Sequence, residues 1–325
     1  MRRREFLSLL GGAVAGWPHG TATQPAQNWP QRVVRIVVPF VPGGGTDAIA
    51  RILAAGLTKS AGYQIVIENK GGGSSNIGTD AVAHAAPDGY TVLFASLPFA
   101  INRFLFSTLG YDSFADFAPV TLIATYPDLM AVPNASPAKT VAEFIAFAKG
   151  NGGKTTFASA GTGTSTHLAG ELFKRRAGIE MTHIPYRGAG PALTDVIGGR
   201  VDVIFNTFGS TLALVRDGQV RGIAVTSAQR FAAAPELPTV AEAALPGFDV
   251  TAWYALYVPA QTPPEIVRKL NADAVAVLAE PAIREKMEQI GVAVVGSTQA
   301  ELARHLRAET ELWGPVIKAA NIRSE

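Results

Sequence analysis

Three glycine-rich loops carry the residue types best suited to chemistry in this chain. The first is Pro39-Phe40-Val41-Pro42-Gly43-Gly44-Gly45-Thr46-Asp47, which follows a β-rich run and opens a helical pattern. Consecutive glycines bare backbone N–H groups, and a helix start adds unpaired donors and the positive end of its dipole, so the combination is an anion site. Glu68-Asn69-Lys70-Gly71-Gly72-Gly73-Ser74-Ser75-Asn76-Ile77-Gly78 repeats the arrangement one unit later. In an open α/β sheet both loops lie at strand carboxyl ends on one rim, where ligands usually bind. The third loop, Ser159-Ala160-Gly161-Thr162-Gly163-Thr164-Ser165-Thr166-His167, again feeds a helix start. Its expected neighbours are His183-Ile184-Pro185-Tyr186-Arg187-Gly188 and Asn206-Thr207-Phe208. Two facing sets of anion-accepting loops suit a ligand with a carboxylate at each end. Chain reversal and helix capping account for part of the same composition without any ligand.

Catalytic constellations are scarce. The chain has no cysteine, which excludes thiolate catalysis, disulfides and cysteine metal sites. It has no G-x-S-x-G elbow, no H-E-x-x-H and no P-loop lysine. His84, His167, His183 and His305 stand apart in sequence, and Ser165 and His167 are two residues apart, a spacing that does not bring side chains together on a helix. No metal or cofactor is expected. One enzymatic reading stays open: Gly43-Gly44-Gly45-Thr46-Asp47-Ala48 fits G-x-G-x-x-A, and Glu68 sits where a ribose acid would, as in an exported nicotinamide- or flavin-dependent oxidoreductase. Pro39, Pro42 and a carboxylate at Asp47 beside the phosphate position argue against it.

The loops need a scaffold, and the chain has material for one: 325 residues, 48% hydrophobic and only 17% charged, with no low-complexity tract. Short β-rich runs alternate with helical patterns from Arg35 onward, the sign of βαβ units. Strands are expected at Arg35 to Phe40, Gln64 to Glu68 and Thr91 to Ala95, with helices at Asp47 to Ser60 and Asn76 to Ala86. These strands lack apolar/polar alternation and should be buried on both faces. A second series has strands at Leu129 to Val132, Thr155 to Ser159, Met181 to Ile184, Val201 to Phe205 and Gly222 to Thr226. Its helices are Val141 to Lys149, opened by a capping box of Thr140 and Glu143, then Thr166 to Arg176 and Ala189 to Ile197. A last strand, Tyr254 to Val258, precedes two amphipathic helices, the second capped by Thr298 and Glu301. These cannot easily form a third core, so they return to the first lobe. The result is two lobes with crossings near Thr121 to Thr125 and Thr226 to Arg230: residues 28–122 plus 228–325 as lobe one, and 123–227 as lobe two.

Residues 1–27 begin with Arg2-Arg3-Arg4-Glu5-Phe6-Leu7, followed by a short apolar stretch from Leu9 to Trp17 and a small, polar run. This is the layout of a removable export signal, twin-arginine-like. It also holds the whole formal charge of +2, so the rest of the chain is neutral and offers no electrostatic drive toward nucleic acid. No later run reaches the ~18 consecutive apolar residues of a membrane span.

Further ordered motifs accompany the loops: Ala86-Pro87-Asp88-Gly89-Tyr90, Ser165-Thr166-His167-Leu168-Ala169-Gly170-Glu171-Leu172-Phe173, Pro185-Tyr186-Arg187-Gly188, Leu237-Pro238-Thr239-Val240-Ala241-Glu242 and Leu245-Pro246-Gly247-Phe248. With Arg35-Ile36-Val37-Val38-Pro39-Phe40 and the two lobe-one loops, they closely resemble the Bug, or tripartite tricarboxylate transporter receptor, family of periplasmic solute-binding proteins. The resemblance covers residues 29–322. It implies an α/β, two-lobed periplasmic-binding-protein fold of type II, the Venus flytrap, with two chain crossings between lobes. It also implies a periplasmic, non-enzymatic role: capture of a small carboxylate for presentation to an inner-membrane permease. Carried over by position, the ligand-binding residues are Phe40, Gly44, Thr46, Asp47, Ser75 and Asn76 from lobe one, and Ala160, Gly161, Thr162, Thr164, His167 and Asn206 from lobe two. Two stretches depart from the pattern: Ser96-Leu97-Pro98-Phe99 is bulkier and more apolar, and Phe208 is expected to bring an aromatic ring to the lobe-two rim.

Overall fold

The computed structural model describes residues 29–186 and 188–323; the expected export signal lies outside them. The first βαβ series forms β1 (Val34–Val38), α1 (Gly45–Ala61), β2 (Ile65–Asn69), α2 (Asn76–Ala83), β3 (Thr91–Ser96) and α3 (Pro98–Leu105). β1 pairs in parallel with both β2 and β3, and every residue of β3 is buried, as a strand without alternation requires. α1 buries Ile49, Leu53 and Leu57 along one face and ends at Gly62, whose left-handed backbone donates its N–H to the Leu57 carbonyl. α3 begins within the stretch Ser96 to Phe99 that departs from the family pattern: Pro98 starts it, while Leu97 and Phe99 turn into the core.

β4 (Phe117–Pro133) is far longer than the four residues its apolar pattern marks. Pro119, Pro127 and Pro133 punctuate it and hide its continuity. Irregularities in its pairing between Pro119 and Thr121 and between Leu122 and Ala124 accommodate the first of them. Over residues 117–127 it pairs antiparallel with β9 (Thr251–Pro259); from Asp128 it pairs with a second set of strands. It is therefore the first crossing between lobes.

Beyond it lie α4 (Val141–Gly150), β5 (Thr156–Ser159), α5 (Ser165–Ala177), β6 (Thr182–Pro185), α6 (Ala189–Ile197), β7 (Val203–Thr207), α7 (Phe208–Arg216) and β8 (Val220–Val225). Strand order through both sheets is β2-β1-β3-β9-β4-β7-β5-β6, with β8 also on β4. The capping box at α4 is only half made: Thr140 accepts from the Glu143 N–H, but the Glu143 carboxylate takes the Lys139 N–H instead of its own cap. α7 was not legible because Gly209, Ser210 and Thr211 are weak helix formers.

After β8 the chain does not return at once. Val225 bridges Thr239, α8 (Val240–Ala243) packs on α4 and β8, and Phe248 meets Phe173 edge-on at 6.2 Å. The change of sheet comes at Val250 and Thr251, later than the expected Thr226 to Arg230. α9 (Pro264–Ala279), α10 (Pro281–Gln289), β10 (Ala293–Val294) and α11 (Gln299–Ala319) then complete the first sheet's cover. Pro281 divides the first expected terminal helix from a further one. α11 carries the complete Thr298–Glu301 capping box and packs against α3, β4 and α5, tying the lobes together at the back.

Candidate functional site

In lobe one the two glycine-rich loops are locked to each other. A side chain at Gly78 would stand 2.6 Å from the Lys70 carbonyl oxygen and 2.8 Å from Pro39 Cβ, so only glycine lets α2 press against the first loop. Asp47 supplies the polar stitch. Its Oδ2 accepts from the Gly43 N–H and from Arg51 Nε, each at 2.9 Å, and its Oδ1 accepts from Asn69 Nδ2 at 2.9 Å. Asn69 also donates to the Phe40 carbonyl at 3.2 Å. The Arg51 hydrogen bond, followed by those from Gly43 and Asn69, outweighs burial and holds the Asp47 carboxyl down to about 2. Every hydrogen bond to Asp47 thus comes from the chain itself, and it shapes the loops.

This leaves the start of α1 open. Gly44 is its N-cap, with no side chain to satisfy the first-turn amides of Gly45 and Thr46, and no atom lies within 4 Å of where a Gly44 Cβ would stand. α2 begins similarly: Ser75 caps it without a side-chain bond, and Ser74 and Ser75 have φ of 51° and 75°. Such left-handed serines cost of order 1 kcal/mol or more each and persist only where neighbours impose them. Asn102 on α3 does this, donating through Nδ2 to the Ser74 carbonyl at 2.8 Å and to Asn76 Oδ1 at 2.6 Å. The Tyr111 hydroxyl donates to the same Asn76 oxygen at 2.8 Å, so the Asn76 amide is oriented with its NH2 as the remaining group. Sequence reasoning missed Asn102 and Tyr111; a lone asparagine in the apolar run Phe99-Ala100-Ile101 was the available signal.

In lobe two the third loop satisfies itself. Ala160 N–H donates to Thr166 Oγ1 at 3.0 Å, Gly161 N–H to Ser159 Oγ at 3.2 Å, and Gly163 N–H to His167 Nδ1 at 3.2 Å. The Thr164 hydroxyl donates to the Gly161 carbonyl at 2.6 Å and accepts the His167 N–H, capping α5. His167 is therefore a brace for the loop. Thr162 is exposed at the tip, and the first-turn amides of Ser165 and Thr166 have no helical partner. The His167 ring stacks on His183 at 3.8 Å, and His183 stacks on Phe157 at 4.8 Å. Burial, reinforced by His183 and Lys174, lowers His167 to about 3; burial and Lys174 lower His183 to about 4. Both rings are neutral at physiological pH. His183 Nε2 lies 2.7 Å from Ser159 Oγ, but that serine is fully buried. His167 turns to Gly163 and makes no hydrogen bond with Ser165.

Asn206 lies near the carboxyl end of β7, the strand beside β5. It is opposite Leu129 on β7 and fully buried, with Nδ2 donating to Ser210 Oγ at 3.1 Å and Thr211 Oγ1 at 3.0 Å. Phe208 does not reach the rim: it is 1% exposed and packs edge-on with Phe231 at 4.6 Å, because α7 starts there and buries its first residue. Leu97 and Phe99 are likewise buried, Phe99 within rings of Tyr111, Phe117 and Tyr257.

The start of α1 reaches Tyr254, and the start of α5 reaches Asp128, at the seam between lobes. A side chain at Gly45 would stand 3.6 Å from the Tyr254 hydroxyl; Tyr254 stacks on Tyr126 at 5.1 Å; and Asp128, two residues further along β4, neighbours both rings and Ser165. Two α/β lobes joined by two crossings, with helix N-termini from each brought to a common seam, define a two-lobed solute-binding protein. Residues 49–322 match the family described as tripartite tricarboxylate transporter family receptor, and the chain belongs to that family. A relative from Pseudomonas sp. strain P51, described as a UPF0065 protein in the tcbD-tcbE intergenic region, is 40% identical over 95% of this chain and 92% of its own. BugT of Bordetella pertussis is 33% identical over 90% of each chain. Among solved structures, R. palustris Rpa4515 with adipate superposes with a TM-score of 0.82 at 37% identity, covering 91% of this chain and 99% of the other. MatC of Rhodopseudomonas palustris with bound malate gives 0.76 at 33%, covering 89% and 100%.

Replacing Asp47 by alanine should weaken ligand binding and destabilise the fold by about 1–2 kcal/mol at pH 7, since its bonds are charge-assisted but half-exposed Arg51 is screened by solvent. The Asp47 contribution is present above its unfolded value of 3.8 and is lost as pH falls toward about 2. Chemical unfolding of both proteins at pH 7 and pH 3 should therefore show the gap narrowing at pH 3.

Proposed function

We propose that this protein captures a small carboxylate, with two carboxylate ends favoured, between its lobes in the periplasm and releases it unchanged to an inner-membrane permease of the tripartite tricarboxylate type. The observation that carries this reading is the uncapped start of α1, with open space over Gly44, brought to the same seam as the start of α5. Each helix end offers backbone N–H donors and a positive dipole to one anionic group. Adipate and malate in the solved relatives are both dicarboxylates of this kind.

In this reading Gly44, Thr46, Ser75 and Asn76 contact one end of the ligand, with Phe40 and Asp47 shaping their loops. Thr162 and the start of α5 contact the other end, with Ala160, Gly161, Thr164 and His167 holding that loop, and Asn206 supports α7. Residues 29–127 with 251–323 move as lobe one and 128–250 as lobe two, and ligand touching both favours the closed form. Residues 1–27 direct export. No helix of the described residues is long and apolar enough to cross a membrane, which suits a protein that meets its permease from outside the bilayer.

Calorimetric titration with adipate, L-malate and succinate tests the proposal. Saturable binding with the ligand recovered intact is expected. Consumption of the ligand, or a nicotinamide or flavin absorbance in protein isolated from its native compartment, would overturn it.

A further inference from the structure

Among the described residues, Asp128 on β4 lies at the boundary between the two sheets, and its side chain makes no hydrogen bond. Its backbone is held tightly: its N–H donates to Thr226 Oγ1 at 2.8 Å, its carbonyl accepts the Thr226 N–H at 2.9 Å, and the Thr226 hydroxyl donates to the Val250 carbonyl at 2.7 Å. Thr226 thereby staples the two interlobe crossings together with Asp128 between them. The side chain is fully buried, and neither carboxyl oxygen has a hydrogen-bond partner. Burial raises the carboxyl to about 7, and the nearby Ser165 hydroxyl only partly offsets it.

No cation among the described residues answers this group. On α1, Asp47 and Arg51 are paired with each other. On β4 and β9 the neighbours are the Tyr126 and Tyr254 phenols, both raised by burial. On α5, His167 is neutral, and Glu171 with Lys174 form their own pair at 2.8 Å; on β6, His183 is neutral. A ligand carboxylate at the start of α1 or α5 brings a second negative charge close to Asp128 in a low-dielectric setting, where two like charges are strongly unfavourable.

We propose that Asp128 is a specificity residue of the cleft that couples carboxylate binding to proton uptake: the anion is admitted only with a proton on Asp128. The inference rests on the cleft being the carboxylate site. The protonated acid then stands beside the ligand as a neutral group, whereas the ionised acid repels it. The sequence signal was a single carboxylate in the apolar run Thr121 to Val132, a buried charge that calls for a reason.

The test is titration of the intact protein with adipate, L-malate and succinate between pH 6 and pH 8.5, in phosphate and in Tris, whose ionisation enthalpies differ. Above about pH 7 the affinity should fall about tenfold per pH unit, and the buffer dependence should report uptake of up to one proton. Asp128→Asn should bind with an affinity nearly independent of pH and with no uptake. Binding without proton uptake by the wild type, or uptake unchanged in Asp128→Asn, overturns this inference and leaves the carboxylate site standing. Absence of binding by all three acids at every pH overturns both.

Discussion

Gly44→Val should fold like the wild type and bind carboxylates at least ~100-fold more weakly. The backbone at Gly44 is extended, with φ −83° and ψ 172°, a conformation that β-branched residues adopt readily, and no atom lies within 4 Å of the added Cβ. The isopropyl group would therefore enter the space over the α1 amides and nothing else. Two charge-assisted hydrogen bonds lost at about 1.5 kcal/mol each come to about 3 kcal/mol, or ~100-fold in affinity. Thermal unfolding without ligand should be unchanged, which separates loss of approach from loss of fold. Wild-type affinity for adipate, malate and succinate in this variant would remove the first loop from the site. Gly43 is unsuitable for the same experiment, because its φ of 86° would strain any side chain.

Asp128→Asn should flatten the pH dependence of stability. The folded-state value of about 7 lies above the unfolded 3.8, so the folded chain holds a proton that the unfolded chain releases between those values. Stability conferred by that proton is complete below about pH 3.8 and is lost as pH rises through about 7. From pH 5 to pH 8 the wild type should lose about 2–3 kcal/mol that the variant keeps, from roughly 1.36 kcal/mol per unit over the two units that separate pH 5 from 7. Glu309 is half-buried and likewise raised by burial to about 7, although both Trp253 and Trp313 donate to it. Its contribution has the same sign and is common to both proteins, so the comparison isolates Asp128. Denaturant unfolding across this range reads the difference directly; parallel curves would mean the carboxyl is ionised at no cost in the folded state.

Much of the architecture was legible in the chain because it rests on local signals. Apolar runs without alternation marked β1 and β3, helical spacing of Ile49, Leu53 and Leu57 marked α1, and Thr298 with Glu301 marked the start of α11. Glycine clusters after strands marked the loops, since bare backbone and a helix start need no distant partner to be recognised. The length of β4, the late return at Val250, and α3, α7 and α10 were not legible, because proline interruptions and weak helix formers are overridden there by tertiary packing.

The same division holds within the site. Residue types and spacing by themselves placed glycine-rich loops ahead of helix starts in both lobes. Tertiary structure alone decided which polar side chains remain available. Asp47 is consumed by Gly43, Arg51 and Asn69, and His167 by Gly163, while Asn76 is turned by Asn102 and Tyr111. Asp128 is left unpaired at the seam. The bonds from Asn69 to Asp47 and from Asn102 and Tyr111 to Asn76 join side chains 22, 26 and 35 positions apart and have no local signature, so only the folded chain assigns these groups to their partners.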